Sequence, residues 1–285
     1  DEGTQIQMSV DHAGNNIAIS GFFSDSIDLG TGMLHAPGST SPFVALLNSS
    51  GDALWSYTFG GNSSDRATAI LLANTGDVYL AGVTSGTNVD VDPGIGTYYI
   101  SSFGSSDIYL IRYDITGAFQ SAFSLEGEGG DIIFSIDKTL NNEIYLTGYT
   151  NGDSIDVDPD SANSVFLYGD TTISFVQDIL LTKYDSNFNY LWSMRTGKRA
   201  SDSGRKIKID NQGNVLLAGQ IGDSNIDFDP GPSTFYLSAD SNNLLNNVAF
   251  LVQYDPNGAF VGGFTFDDSL SIGSVDLKND GKIWV

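Results

Sequence analysis

The chain has 285 residues, no cysteine and a formal net charge of −23 at pH 7. Its length suits one large all-β domain or two ordinary ones, and 40% apolar residues suffice for a core. The acidic balance argues against nucleic acid and anionic membranes as partners and favours cations, while the absence of cysteine excludes disulfides and thiolate metal sites. No apolar stretch approaches the ~20 residues of a membrane-spanning helix, so we expect no membrane insertion.

In chain order, short apolar segments recur as four strand types, which we call C, D, A and B. Strand C leads into a turn rich in Asn and Gly, and strand D follows that turn. A long link then leads to strand A, which a turn of the type Asp-x-x-Gly joins to strand B. The predicted segments include 5–10, 67–72 and 206–209 for C; 77–81, 143–147 and 214–218 for D; 43–47, 107–113, 178–184 and 248–254 for A; and 53–57, 118–123, 190–194 and 259–264 for B.

The spacing of these segments predicts one structural unit copied along the chain. The glycines that end strand D, which are Gly21, Gly82, Gly148 and Gly219, lie 61, 66 and 71 residues apart. Four short antiparallel strands joined by hairpins predict an all-β β-propeller of four-stranded antiparallel blades. The alternative is a β-solenoid, although its coils are usually shorter, at ~20–30 residues.

The predicted blade boundaries follow the A-to-D order. We expect a half blade at 1–41 and blades at approximately 42–106, 107–177, 178–246 and 247–285, in a single propeller domain or part of one. Because the pattern opens in strand C and stops in strand D, we expect the chain to be a piece of a longer protein.

The link between strands D and A contains an acidic phrase in each copy. It reads SIDLG at 26–30, NVDVDPG at 88–94, SIDVDPD at 154–160 and NIDFDPG at 225–231. In an extended segment alternate side chains share a face, so oxygen-bearing side chains would point one way while the apolar pair docks on the blade. Because Ca²⁺ prefers six to eight oxygen ligands, we predict calcium as a cofactor here. The predicted ligands are Asp28, Asn88, Asp90, Asp92, Ser154, Asp156, Asp158, Asp160, Asn225, Asp227 and Asp229.

Turn chemistry alone is the alternative for this phrase, because Asp and Asn accept hydrogen bonds from nearby backbone N–H groups. A second set of carboxylates, Asp65, Asp131 and Asp202, precedes strand C, and we expect it to bond backbone where one blade meets the next. We expect Trp55 and Trp192 in strand B to pack between blades. The aromatic residues after the acidic phrases either cover blade edges or line a sugar-binding face; they are Tyr98, Tyr99, Phe166, Tyr168, Phe235 and Tyr236.

These features resemble the bacterial β-propeller repeats often labelled SBBP, found in secreted and surface proteins. The resemblance rests on the phrase DFDPG at 227–231, on the strand DIYLIRYD at 107–114 with Gly117, and on an Asp 17 residues before the strand-D glycine. It covers nearly the whole chain, although Gly30 stands in the first copy where the second Asp is expected. The resemblance implies an extracellular or cell-surface location.

The function expected from these observations is a non-catalytic binding or scaffold module of the adhesin type, stabilised by calcium. No nucleophile elbow, phosphate-binding loop or metalloprotease motif is present, and His12 and His35 have no evident catalytic partner. Two alternatives stay open: a propeller glycosidase or lyase acting on polysaccharide, and a purely structural spacer of a surface filament. The expected partners are polysaccharide or a surface protein, with self-association possible.

Overall fold

The computed structural model describes residues 6–11, 13–169, 176–239, 247–266, 276–277 and 283–284. Within these ranges all helical or extended secondary structure consists of β-strands, and no helix long and apolar enough to cross a membrane is found. His12 and most of the predicted segment 247–285 beyond residue 266 lie outside the described residues.

Each repeat contains six strands, because the link between D and A adds a short hairpin to the four predicted strands. The first repeat consists of β1 (Gln7–Val10), β2 (Asn16–Phe23), β3 (Ser26–Asp28), β4 (Met33–His35), β5 (Ser41–Asn48) and β6 (Ala53–Thr58). The second consists of β7 (Arg66–Leu72), β8 (Val78–Thr84), β9 (Val89–Asp90), β10 (Tyr99–Ile100), β11 (Asp107–Tyr113) and β12 (Phe119–Leu125).

The same order continues through the rest of the chain. The third repeat consists of β13 (Ile132–Lys138), β14 (Ile144–Thr150), β15 (Ser154–Asp156), β16 (Phe166–Tyr168), β17 (Asp178–Tyr184) and β18 (Tyr190–Thr196). The fourth consists of β19 (Ser203–Ile209), β20 (Val215–Ile221), β21 (Ile226–Asp227), β22 (Tyr236–Leu237), β23 (Val248–Tyr254) and β24 (Phe260–Thr265). A last antiparallel pair is formed by β25 (Asp276–Leu277) and β26 (Ile283–Trp284).

The first, second, fifth and sixth strands of each repeat form one antiparallel four-stranded meander, in the order C-D-A-B. The third and fourth strands pair with each other as a separate hairpin. The described residues contain four such meanders, at 7–58, 66–125, 132–196 and 203–265, and these are the predicted four-stranded antiparallel blades of the β-propeller class.

The strands group into sheets differently from the predicted boundaries at 42–106, 107–177 and 178–246. Strand D pairs with the next strand A, as Gly21 opposite Phe43 and Gly82 opposite Tyr109 show, so residues 1–41 do not contain a separate half blade. The physical reason lies in the link: because it folds back on itself as a hairpin, the edge of strand D stays open to the following strand A.

The turn between strands A and B is closed by a single side-chain oxygen. Asp114 Oδ1 accepts hydrogen bonds from the N–H groups of Thr116 and Ala118 at 2.8 and 3.1 Å. Gly117 in this turn has φ +84°, a left-handed conformation that favours glycine. The third repeat places Phe188 there at φ +68°, and its side chain is buried.

The chain divides into two compact units, Asp1–Glu126 and Gly127–Val285, and each has its own apolar core. Leu46 and Tyr113 are fully buried in the first unit, and Val215 and Phe250 in the second. The inner strands D and A are buried along almost their whole length, as in β8 and β17, whereas outer strands such as β7 alternate with more exposed positions.

One tryptophan in each unit joins neighbouring blades, as predicted. Trp55 Nε1 donates to the carbonyl of Ile115 at 3.0 Å, which links strand B of the first blade to the A–B turn of the second. In the other unit Trp192 Nε1 donates to the carbonyl of Pro256 at 3.2 Å, in the equivalent turn. The indoles therefore both fill the core and fix the neighbouring turn.

Candidate functional site: the inserted hairpins

The acidic phrase opens the inserted hairpin in all four repeats. Its first Asp lies directly opposite a large apolar residue of the returning strand; these pairs are Asp28–Met33, Asp90–Tyr99, Asp156–Phe166 and Asp227–Tyr236. The apolar residues that alternate with the Asp residues are buried against the blade, as predicted; they are Val89, Val91, Ile155, Val157, Ile226 and Phe228.

In the second repeat the carboxylates organise the backbone of the hairpin. Asp90 Oδ1 accepts hydrogen bonds from the N–H groups of Asp92 at 3.1 Å and Tyr98 at 2.9 Å. Asp92 Oδ1 in turn accepts from Gly94 N–H at 2.8 Å. One carboxylate thus holds both ends of the hairpin loop, and the next forms the Asp-Pro-Gly turn inside it.

The same bonds recur in the other copies. The backbone N–H groups of Asp158 and Val165 donate to Asp156 Oδ1, and those of Asp229 and Phe235 donate to Asp227 Oδ1, all at 2.9 to 3.1 Å. The second Asp of each phrase repeats the inner turn; these bonds are Asp160 N–H to Asp158 at 3.0 Å and Gly231 N–H to Asp229 at 2.8 Å. In the third repeat Asp160 itself accepts from Ala162 N–H at 3.0 Å. The shortened first phrase keeps one turn, from Gly30 N–H to Asp28 at 2.8 Å.

Asn88 and Asn225 do not extend the row of Asp side chains along one strand face. Both have φ +55°, so the chain is left-handed where an extended segment was predicted. Their N–H groups donate to the hydroxyls of Ser101 and Ser238 at 2.9 and 2.8 Å. Asn tolerates this conformation better than other residues with a side chain, which explains its place at the start of the hairpin.

A buried tyrosine at the end of strand A fixes each longer phrase to its blade. The hydroxyls of Tyr113, Tyr184 and Tyr254 donate to the carbonyl between the two Asp residues, namely those of Val91, Val157 and Phe228, at 2.9 to 3.0 Å. Burial raises the pKa of all three phenols, and the nearby Asp carboxylates raise it further. We did not predict this contact; the signal was a Tyr ending strand A in each repeat with a double-Asp phrase.

The predicted calcium ligands are mainly Asp carboxylate oxygens, and the backbone hydrogen bonds described above occupy only some of these oxygens. Among the described residues, no group of three or more His, Cys, Asp and Glu side chains forms a potential metal site. The observed geometry is that of the turn alternative, with one oxygen of each first Asp bonded to backbone. Calcium at the hairpins stays a prediction.

The outer face of each hairpin presents a large apolar side chain opposite its Asp. Exposure of these side chains is 57% for Met33, 58% for Tyr99, 48% for Phe166 and 55% for Tyr236. The apolar residues on the inner face already hold the hairpin against the blade. A partner that covers the exposed side chain would therefore not disturb the fold. Its recurrence at one position in four hairpins makes this face the candidate site.

The neighbouring aromatic residues cover blade edges. Tyr98 packs on Phe119 of strand B with ring centroids 5.0 Å apart, and its hydroxyl donates to the carbonyl of Ala122 at 2.7 Å. In the fourth repeat Phe235 packs on Phe260 of strand B at 4.5 Å. The aromatic residues after the acidic phrases therefore divide into a covering set and an exposed set, which the sequence pattern did not separate.

The carboxylates that precede strand C are fully buried in all three repeats where they occur, at Asp65, Asp131 and Asp202. Asp65 accepts from the Thr84 hydroxyl at 2.7 Å and from Gly61 N–H at 2.9 Å. Since Gly61 belongs to the link that leaves the first blade, Asp65 fastens the start of the second blade to the first. This is the structural role that we predicted.

Asp202 lies in a less favourable environment. Its two oxygens accept from Gly222 N–H at 2.8 Å and Lys198 N–H at 3.1 Å. The pKa of this carboxyl is raised to about 7, chiefly by burial and to a smaller extent by the carboxylates of Asp223 and Asp178, although the two backbone hydrogen bonds lower it. Asp178 is buried and pairs with Arg195 Nε at 2.7 Å.

No protein-family model matches the chain, and no curated protein matches it. Among solved structures, it is similar to a protein of unknown function from Bacteroides caccae, at 10% identity and a TM-score of 0.42, over 96% of this chain and 86% of that one. It is also similar to the structure of the Dos1 propeller, at 11% identity and a TM-score of 0.36, over 98% and 88% of the two chains.

A third similar structure is a member of the DUF4221 family from Bacteroides vulgatus, at 11% identity and a TM-score of 0.35, over 93% and 83% of the two chains. At these scores the similarities add nothing to the fold argument, which rests on the sheet topology. The resemblance to SBBP repeats stays a prediction.

Proposed function

We propose that this chain is a non-catalytic, extracellular binding or scaffold module whose inserted hairpins form the recognition surface. The partner is a polysaccharide or a protein of the cell surface. The blades supply a rigid base, and the Asp-centred turns hold each hairpin in one conformation before binding, which lowers the entropy lost on association.

The observation that supports this proposal most directly is the exposed side chain opposite each first Asp. Four hairpins repeat it, at Met33, Tyr99, Phe166 and Tyr236. A catalytic group would be expected once, whereas a repeated, preorganised and partly apolar face suits a ligand or partner with several contact points. Exposed aromatic side chains are also the type most enriched at binding surfaces.

The test is a binding panel with two matched variants. One variant replaces Met33, Tyr99, Phe166 and Tyr236 with Ser. The control replaces four exposed apolar residues outside the hairpins, Leu54, Leu140, Leu191 and Val261, with Ser. We expect immobilised polysaccharides or surface proteins to retain the wild type and the control but not the hairpin variant. Loss of retention in the control alone would place recognition elsewhere.

A catalytic alternative has one observation in its favour. The buried Asp202 has a raised pKa to which the charge of a second buried carboxylate, Asp178, contributes, and Asp178 itself pairs with Arg195. Two carboxyl groups in such different environments can divide acid and base roles. Both side chains are buried, however, so substrate would need a rearrangement to reach them. Release of reducing ends from any polysaccharide, abolished by Asp202→Asn, would favour this alternative over the binding module.

A spacer of a surface filament is the other alternative. It predicts self-association without any heterologous ligand. Light scattering across a concentration series, together with the binding panel, separates it from the proposed function: association combined with an empty panel would favour the spacer.

A further inference from the structure

We propose that the outer face of the third hairpin, β15–β16, binds a cationic, arginine-bearing segment of a partner protein. This proposal rests on the proposed function and names the partner chemistry of one hairpin. The face consists of Ser154 and Asp156 on one strand and of Phe166 and Tyr168 on the other, paired across the hairpin.

The two aromatic side chains form an exposed platform. Phe166 and Tyr168 stand two residues apart on one strand and therefore point to the same side of the hairpin. Their ring centroids are 6.2 Å apart with an interplanar angle of 35°, and the side chains are 48% and 71% exposed. Ile155, on the opposite side of the hairpin, is fully buried, so the platform is not needed to attach the hairpin to the blade.

This platform departs from the repeat. In the second and fourth repeats the residues equivalent to Tyr168 are Ser101 and Ser238, whose hydroxyls accept from the N–H groups of Asn88 and Asn225. In the first repeat His35 takes this position. The third hairpin gives up this bond and exposes a second aromatic ring instead. A change that exposes apolar surface and loses a local hydrogen bond does not favour folding, so we infer that it serves recognition.

The charge around the platform selects the partner. Residues 151–169 contain Asp153, Asp156, Asp158 and Asp160, and no Lys or Arg. The basic side chain that approaches the end of the hairpin, Arg195, donates to the carbonyl of Gly152 at 2.6 Å, is buried and is paired with Asp178. Its charge is therefore neutralised inside the blade and is not presented on the outer face.

A guanidinium group fits this combination better than an anion or a neutral group. It stacks on aromatic rings through its plane and through cation–π attraction, while its N–H groups donate to carboxylates. The net charge of −23 adds a long-range attraction that raises the association rate for cationic segments and repels anionic ones.

The experiment measures binding of a fluorescent peptide with four arginines spaced by Gly and Ser, by polarisation, at several salt concentrations. The same peptide with citrulline for arginine keeps the shape and removes the charge. The site variants are Tyr168→Ser, which installs the residue of the second and fourth repeats, and the double variant Phe166→Ser with Tyr168→Ser. The matched control is Leu140→Ser, an exposed apolar residue of the same repeat that lies outside the hairpin, and thermal unfolding of every variant verifies the fold.

We expect Tyr168→Ser to weaken binding of the arginine peptide about fivefold and the double variant to weaken it about twentyfold, whereas the control should have little effect on binding. Equal binding of the citrulline peptide, or an equal loss in the Leu140→Ser control, would overturn the proposal. A neutral polysaccharide that retains the wild type but not the double variant would also overturn the arginine proposal. The proposed binding module would then still stand. If neither peptides nor the panel bind, the proposed function fails as well.

Discussion

Asp202 gives the sharpest prediction, because its burial makes the stability of the second unit depend on pH near neutrality. The pKa of this carboxyl is raised from the ordinary value of 3.8 to about 7. An acid whose pKa is raised on folding binds its proton more tightly in the native state. Its contribution to stability is therefore complete below pH ~4, falls as the pH rises through 7 and is constant above it.

The magnitude follows from the same values. At ~1.4 kcal/mol per pKa unit, a shift from 3.8 to about 7 corresponds to about 4 kcal/mol between pH 4 and pH 8. Asp202→Asn removes the titration while keeping the shape of the side chain. Its amide cannot accept from both Gly222 and Lys198, so we expect a loss of about 1–3 kcal/mol at pH 5 and a gain relative to the wild type at pH 8.

The assay is urea unfolding at half-unit steps from pH 5 to pH 8.5, with the carboxyl titration followed by NMR. The matched control is Asp65→Asn, since the Thr84 hydroxyl donates to that carboxylate and its loss should destabilise at every pH. A carboxyl that titrates near pH 4, or a wild-type stability no more dependent on pH than that of Asp202→Asn, would refute the reasoning.

Three further predictions concern the hairpins and the buried ion pair. Tyr254→Phe should lower the free energy of unfolding by about 1 kcal/mol and speed amide exchange in the fourth hairpin, because the bond to the Phe228 carbonyl is lost; unchanged exchange would contradict it. Millimolar calcium after EDTA should raise the thermal midpoint, since a metal at 100 times its dissociation constant stabilises by ~2.7 kcal/mol per site, and the rise should vanish when Asp90, Asp156 and Asp227 are all replaced with Asn. Arg195→Ser should destabilise by about 3–5 kcal/mol, because the buried carboxylate of Asp178 loses its charged partner, and adding Asp178→Ser should recover most of the loss in a double-mutant cycle.

The sequence pattern predicted the elements that depend on local chemistry. Short apolar runs located the strands, and Asp followed by Gly located turns such as Asp114–Gly117, because both signals act within a few residues. The grouping of strands into sheets was wrong by half a repeat. That grouping depends on whether strand D pairs with the strand A that follows the long link. The pairing of Gly82 with Tyr109 joins residues distant in sequence, so no local sequence signal indicates it.

The candidate site was predicted in part for the same reason. The buried side of the phrase, Val89 and Val91, followed from the period of two, whereas the left-handed Asn88 breaks that period and redirects its own side chain. The contact from Tyr113 to the Val91 carbonyl joins residues 22 positions apart, and only the folded blade brings them together. Sequence reasoning therefore identified the hairpin as the unusual segment but not the face that it exposes.

Repetition together with burial separates architecture from candidate function in this chain. A recurring residue that is buried or bonded to the backbone, such as the first Asp of each hairpin or the tyrosine beneath each double-Asp phrase, is explained by the stability of the blade. A feature found once is not explained that way. The third repeat holds two such departures: Tyr168, where the second and fourth repeats have Ser, and Arg195, which lies opposite Leu180 where the second repeat has Ser124 opposite Tyr109. One departure exposes an aromatic ring and the other buries a charge, so neither follows from packing alone. The third blade is therefore the part of the protein in which we expect a function beyond the stability of the repeat.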